Sequence, residues 1–370
     1  MIKSKVFVFI ILILTIIKLP ALAQSNAERA GISIKLDDES AQEIISLLSA
    51  KKVSPAQLNH AAGTYGNKLL IQKVNSSVGG DESVFKQTLQ EMIETGTVKG
   101  PDPYAWKKVK ATLPESRKLI SHIKSNQGAF LAEVKTNIQQ YTPLDLPAKL
   151  HGCLLLGGGS AGFVVGSDGA FSIALQHFEG DYEAVKTTII HELYHAVQQS
   201  GQAQRKHKPA TEKPDYQTKA SYYLLQNLWA EGTAEKVGDF SLIKSTGPYV
   251  KKEEEKRQKN NARLLTNFRL MDVLLYKLYN DTGARYSPMY DIAFSTVYEE
   301  AGYSVGYEMA RQLEKYRGKG FIAASLTKDP LEFTTEYILL YHEFPKEVPY
   351  HFDTATEGII DRLKVWKDRI

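Results

Sequence analysis

Cysteine is almost absent. The single Cys153 cannot close a disulfide within the chain, so stability must come from an apolar core or a bound metal. Set in the apolar stretch HGCLLLGGG, it reads as a small buried hydrophobe rather than a redox centre. No basic run occurs, which leaves no electrostatic footprint for nucleic acid. Long apolar runs are missing but for one. Val6–Ile17 lies between Lys3 and Lys5 on one side and Lys18 and Pro20 on the other, short of the ~20 residues that a membrane helix needs. Followed by ALA at 21–23, it predicts an export signal cut near Ala23/Gln24, with no cysteine at the cut to carry a lipid. The mature chain is expected to be secreted or periplasmic, with no stable membrane insertion once the signal is gone. Charge of either sign is not in excess there: without the three signal lysines, 43 Lys and Arg stand against 42 Asp and Glu.

What remains is roughly 345 residues of ordinary core-forming composition, with no internal repeat and no low-complexity linker. From about 32 to 142 the pattern reads as helical scaffold, with DESAQEIISLLSAKK and DESVFKQTLQEMIETG opening on capping residues. After Pro147 the texture changes. Short β-type runs at 150–156, 162–165 and 170–175 are broken by glycines and predict a small sheet with tight turns. Gly157–Gly159 is not a phosphate loop, because no Gly-Lys-Ser/Thr follows. The expected fold is α+β and mostly helical: a small glycine-punctuated sheet packed on one long helix, with a helical N-terminal region and a helical C-terminal subdomain. The expected layout is a signal at 1–23, the helical region at 24–145, a main domain at 146–345 and a tail helix at 346–370.

Histidine is scarce, nine in 370 residues, yet two stand four apart in VKTTIIHELYHAVQQ. On a helix His191 and His195 share a face one turn apart, so both imidazoles can reach one ion. Glu192 projects beside them and can take a proton from an attacking water. The surrounding Ile189, Ile190, Leu193, Ala196 and Val197 predict a buried helix under a cleft. A catalytic zinc needs a third protein ligand. The metzincin pattern would place glycine at 198 and histidine at 201, but the chain has Gln198 and Gly201. In YYLLQNLWAEGTAEKVGDF the residues Leu224, Leu228, Glu231 and Glu235 follow at helical spacing, so both carboxylates fall on an otherwise apolar stripe. A carboxylate there needs a partner, which makes Glu231 the expected third ligand of one Zn²⁺. Glu235, one turn on, is placed to accept the free ring N–H of a ligating histidine. Tyr303 and Tyr307 in AGYSVGYEMARQLEKY are candidates to steady the oxyanion, and Gly306 on the same face allows close approach of another backbone.

HELYH followed by a helix bearing EGTAE resembles the gluzincin metallopeptidases, in which two histidines and a downstream glutamate hold the zinc. With the glycine-rich strand segment ahead and AGYSVGYEMARQLEKYRGKG behind, residues 146–340 are similar to secreted bacterial zinc-dependent peptidases. The resemblance implies His191, His195 and Glu231 as ligands, Glu192 as base and Glu235 as support. Two features depart from it. The 36 positions from His195 to Glu231 exceed the spacing of thermolysin-like enzymes, so 201–219 reads as an insertion, and the Gly-x-Met-Glu-Asn element of aminopeptidases is missing. The expected activity is therefore hydrolysis of internal bonds in a peptide or protein, the substrate lying extended along the sheet edge. The alternatives are a catalytically silent zinc-stabilised binding module and a metal hydrolase of a non-peptide amide.

Overall fold

The structure, a computed structural model, describes residues 31–165, 170–209 and 212–370. The export signal lies outside the described residues. Helices dominate, and the described residues form one four-stranded sheet: β1 (Ile32–Asp37), β2 (Ala148–Leu155), β3 (Gly162–Val164) and β4 (Phe171–Ala174) in the order β1-β2-β4-β3. β2 runs parallel to both β1 and β4, whereas β3 returns antiparallel to β4 and forms the edge. β2 and β4 are central, and their cores, including Cys153, are buried.

β1 corrects the helical reading of the segment from 32 onward. Ile32, Ile34 and Leu36 alternate with Ser33 and Lys35, a period of two that fits a strand, and helix begins only at Glu39. The expected helix after Asp81 is present as Glu82–Thr95, with the Asp81 carboxylate accepting from the Val84 N–H at 3.0 Å. The segment 113–141 forms two helices, Leu113–Ser125 and Gln127–Gln139.

Two long helices set the site. The first, Tyr182–Ala203, carries HELYH; Asp181 caps it by accepting from Ala184 N at 3.1 Å. It packs against β2, β3 and β4 on one side and against Gln127–Gln139 on another. The second, Tyr216–Val237, is capped by Asp215 through Thr218 N at 2.7 Å. Leu224, Leu225, Leu228 and Trp229 bury it on several faces, as expected of a helix running through the middle of a helical body. It touches the HELYH helix, Leu264–Asn280 and Ala301–Arg317. No helix among the described residues is long and apolar enough to cross a membrane.

The segment that follows the HELYH helix ties back to the C-terminal part of the chain. Lys208 N–H donates to the Asp368 carbonyl at 2.6 Å, and Arg205 pairs with buried Asp329 at 2.9 Å.

Candidate metal centre

The HELYH helix turns His191 and His195 to one face, their Nε2 atoms 3.1 Å apart. Glu231 reaches them from the second helix, with Oε2 3.3 Å from His195 Nε2 and 3.6 Å from His191 Nε2. One ligand atom from each of the three residues lies within 4.8 Å of the others. The meeting of the two helices at this point rests on glycine. Gly232, next to Glu231, lies against the backbone of Gly306 in Ala301–Arg317, and a methyl built on Gly306 would sit 2.5 Å from the Leu228 carbonyl oxygen. Only glycine at both positions permits that crossing. Gly238 works similarly where the second helix ends, since a methyl there would lie 2.8 Å from His191 Cβ.

The donor atoms fit a cation. Gln198 Oε1 stands 2.8 Å from His195 Nδ1, and Gln198 Nε2 donates to the Ala230 carbonyl at 2.7 Å and to Thr233 Oγ1 at 2.8 Å. A carbonyl only accepts, so the amide nitrogen must face Ala230 and its oxygen must face His195. His195 then carries its proton on Nδ1, which leaves the Nε2 lone pair pointing at Glu231. The Oε2 atom of Glu231 is buried, and among the described residues no donor other than the two imidazoles approaches it. Converging lone pairs around a buried carboxylate call for positive charge at their centre. Two imidazole nitrogens and one carboxylate oxygen are the donors that zinc takes in catalytic sites.

The electrostatics carry the same demand. Burial opposes a charge on His195, but the Glu231 carboxylate outweighs it and lifts the imidazole to about 9, so that without a cation a second proton sits on Nε2 in the place the cation would take. Burial also works against the Glu231 charge, yet the two histidines hold its carboxyl well below the usual range. Glu235 stands on the other side of His191, its Oε1 3.6 Å from Nδ1, and burial pushes its carboxyl up to about 7 against the pull of His191.

The Glu192 carboxylate lies against the sheet: a methyl built on Gly162 of β3 would lie 2.7 Å from Glu192 Oε1, and its charge is felt by both His191 and His195. The base candidate thus sits beneath the free edge of the sheet. Tyr303 stacks over His191 with ring centroids 6.5 Å apart. Burial first, and then the Glu231 charge, keep its hydroxyl protonated far above neutral pH. The Tyr307 hydroxyl, one turn on, instead donates to Asp239 at 2.9 Å. Tyr290 also feels the Glu231 charge. Gln198, Gly162, Gly232 and Tyr290 were not singled out from the sequence. Of these, Gln198 had a signal, being a polar residue three positions after His195 on an apolar helix.

Fold and donor set define a class: a mostly helical α+β protein with a two-histidine, one-glutamate group of the kind that holds a single divalent ion. The chain matches the model of the family described as "Putative zinc dependent peptidase (DUF5700)" over residues 58–344, and it belongs to that family. The match starts well ahead of 146, so the helices from Tyr65–Val78 onward are part of the family's sequence, although the motifs alone had carried the likeness only over 146–340. No curated protein and no solved structure matches the chain.

Proposed function

We propose that this protein is a secreted zinc peptidase of the gluzincin type, cutting internal bonds of an extended peptide. One observation supports the reading above the others: the Glu192 carboxylate lies between the three-donor group and the free edge strand at Gly162. A purely structural metal site closes its coordination with a fourth protein ligand and has no use for a base at this place.

His191, His195 and Glu231 would hold the zinc, which when bound polarises the scissile carbonyl and eases deprotonation of water. Gln198 and Glu235 keep the two imidazoles turned so that their Nε2 atoms face inward. A peptide pairing with β3 passes its backbone over Glu192. The Glu192 carboxylate accepts the proton of the attacking water and returns it to the departing amine nitrogen. Tyr303, protonated and beside His191, is placed to donate to the developing oxyanion.

The test compares wild type with Glu192→Gln for zinc content and for cleavage of a peptide library. The expected result is one zinc in both proteins and a loss of at least ~10² in rate for the variant. Metal-free wild type would sink the reading. Zinc without peptide cleavage would favour a silent binding module or a hydrolase of another amide. Export is tested separately: the N-terminus of protein recovered outside the cytoplasm should begin near Gln24.

A further inference from the structure

A large cavity lies away from the three-donor group. It has a volume of about 860 Å³ and opens between the helices Tyr65–Val78 and Glu82–Thr95, the segment 98–103 and the glycine loop 158–160, reaching β3 at Phe163. Phe163 is the neighbour of Gly162, the residue that lies over Glu192.

From this placement, and resting on the peptidase reading above, we propose that the cavity is a substrate subsite that takes a large apolar side chain of the bound peptide. The pleat of β3 decides which side chains of a paired peptide face which way. Ala174 N–H donates to the Ala161 carbonyl, so Ala161 and Phe163 spend their backbone groups on β4, while those of Gly162 and Val164 point out from the edge. A peptide added to that edge pairs first with Gly162. Side chains opposite one another across a ladder share a face, and successive ones alternate. The peptide residue opposite Gly162 therefore faces Glu192 and the metal group, and its neighbour, opposite Phe163, faces the cavity.

The lining defines what fits. Leu70, Val74, Val98 and Phe163, all buried, supply apolar lining beside the polar side chains of Ser77, Gln87 and Ser160. The two carboxylates present are already engaged: Asp102 accepts from Trp106 N and Lys107 N, both at 2.9 Å, and Glu91 accepts from Lys99 N at 3.2 Å. Lys73 lines the same space and has no acid partner among the described residues. A partly apolar cavity with satisfied acids and a cation at its wall favours Leu or Phe and rejects Lys or Arg.

The test uses the full mature chain carrying Glu192→Gln, so that peptides bind without being cut. Labelled, end-blocked alanine heptapeptides with one variable residue are titrated by fluorescence polarisation, the variable residue being moved through each position. At one position Leu or Phe should bind at least about 10-fold tighter than Ala or Arg. Gly159→Phe adds a side chain to the lining, where a methyl meets nothing within 4 Å, and should bring Leu and Phe down to the affinity of Ala while zinc content stays unchanged. Lys73→Glu should admit Arg at the same position, tightening it about 5-fold or more. Equal affinity for Leu and Ala at every position, no peptide binding at all, or a preference that survives Gly159→Phe would overturn the subsite. Wild type that keeps the apolar preference and its zinc but cleaves nothing would support the subsite and overturn only the hydrolytic reading.

Discussion

Gln198 fixes the tautomer of His195. Its amide oxygen lies 2.8 Å from His195 Nδ1, and its nitrogen is committed to the Ala230 carbonyl and the Thr233 hydroxyl on the facing helix. The same side chain thus joins the two helices that bring the donors together and decides which imidazole nitrogen is bare. Replacing it by leucine keeps the volume and deletes both roles. Gln198→Leu should retain the fold and lose about 10- to 100-fold in zinc affinity, the usual cost of removing an oriented partner of a ligating histidine. A competition titration against a chromophoric chelator measures this, and unchanged affinity would mean that the His195 tautomer is set by something else.

The crossing at Gly232 and Gly306 is backbone against backbone, with no flexible side chain to move aside. Gly232→Ala should cost at least about 3 kcal/mol, at the upper end of overpacking penalties, and should displace Glu231 with it. Gly128, inside the helix Gln127–Gln139, meets nothing within 4 Å, so Gly128→Ala should stabilise by about 0.5–1 kcal/mol through helix propensity alone. Denaturant unfolding of the two variants tests the contrast; equal effects would show that the crossing is not tight.

The parts of this arrangement that follow from local periodicity were legible in the sequence. HELYH announced its own helix, and Glu231 stood out because a carboxylate had entered an apolar stripe; the helical character of the whole and the small glycine-broken sheet were readable for the same reason. β1 was not, because six residues ahead of a strong helix are too few to separate a period of two from one of 3.6. Nor was the pairing of β1 with β2, which joins residues more than a hundred positions apart. Gln198 shows a different limit. Its partners Ala230 and Thr233 lie on another helix, so its meaning appears only once the helices are packed.

Away from the site, Arg205 and Asp329 form a buried pair at 2.9 Å, and Asp329 also accepts from the Tyr222 hydroxyl at 3.2 Å and from Asp368 N at 2.6 Å. Arg205 further donates to the carbonyl of Ile370. The pair pins the end of the HELYH helix, the second long helix and the C-terminal segment together. Arg205→Ala leaves a carboxylate at a position that is 1% exposed, so a loss of about 3–5 kcal/mol is expected in equilibrium unfolding. A loss below ~1 kcal/mol would place Asp329 in contact with water.

Removing the metal should weaken the fold itself. Glu231 Oε2 is buried, and among the described residues only the Nε2 atoms of His191 and His195 converge on it. A ligand that binds only the folded chain stabilises by about 2.7 kcal/mol at a hundred times its Kd and by about 4.1 kcal/mol at a thousand times. Chelation should therefore lower Tm by several degrees, and stoichiometric zinc should restore it. Glu192→Gln should show the same shift as wild type, because Glu192 points to Gly162 and contributes no donor to the cluster. Glu231→Ala should show none, since it removes a donor and the buried charge together, and its Tm should be insensitive to both chelator and zinc. Differential scanning calorimetry of the three proteins reads all these outcomes; a zinc-dependent Tm in Glu231→Ala would place the metal elsewhere in the molecule.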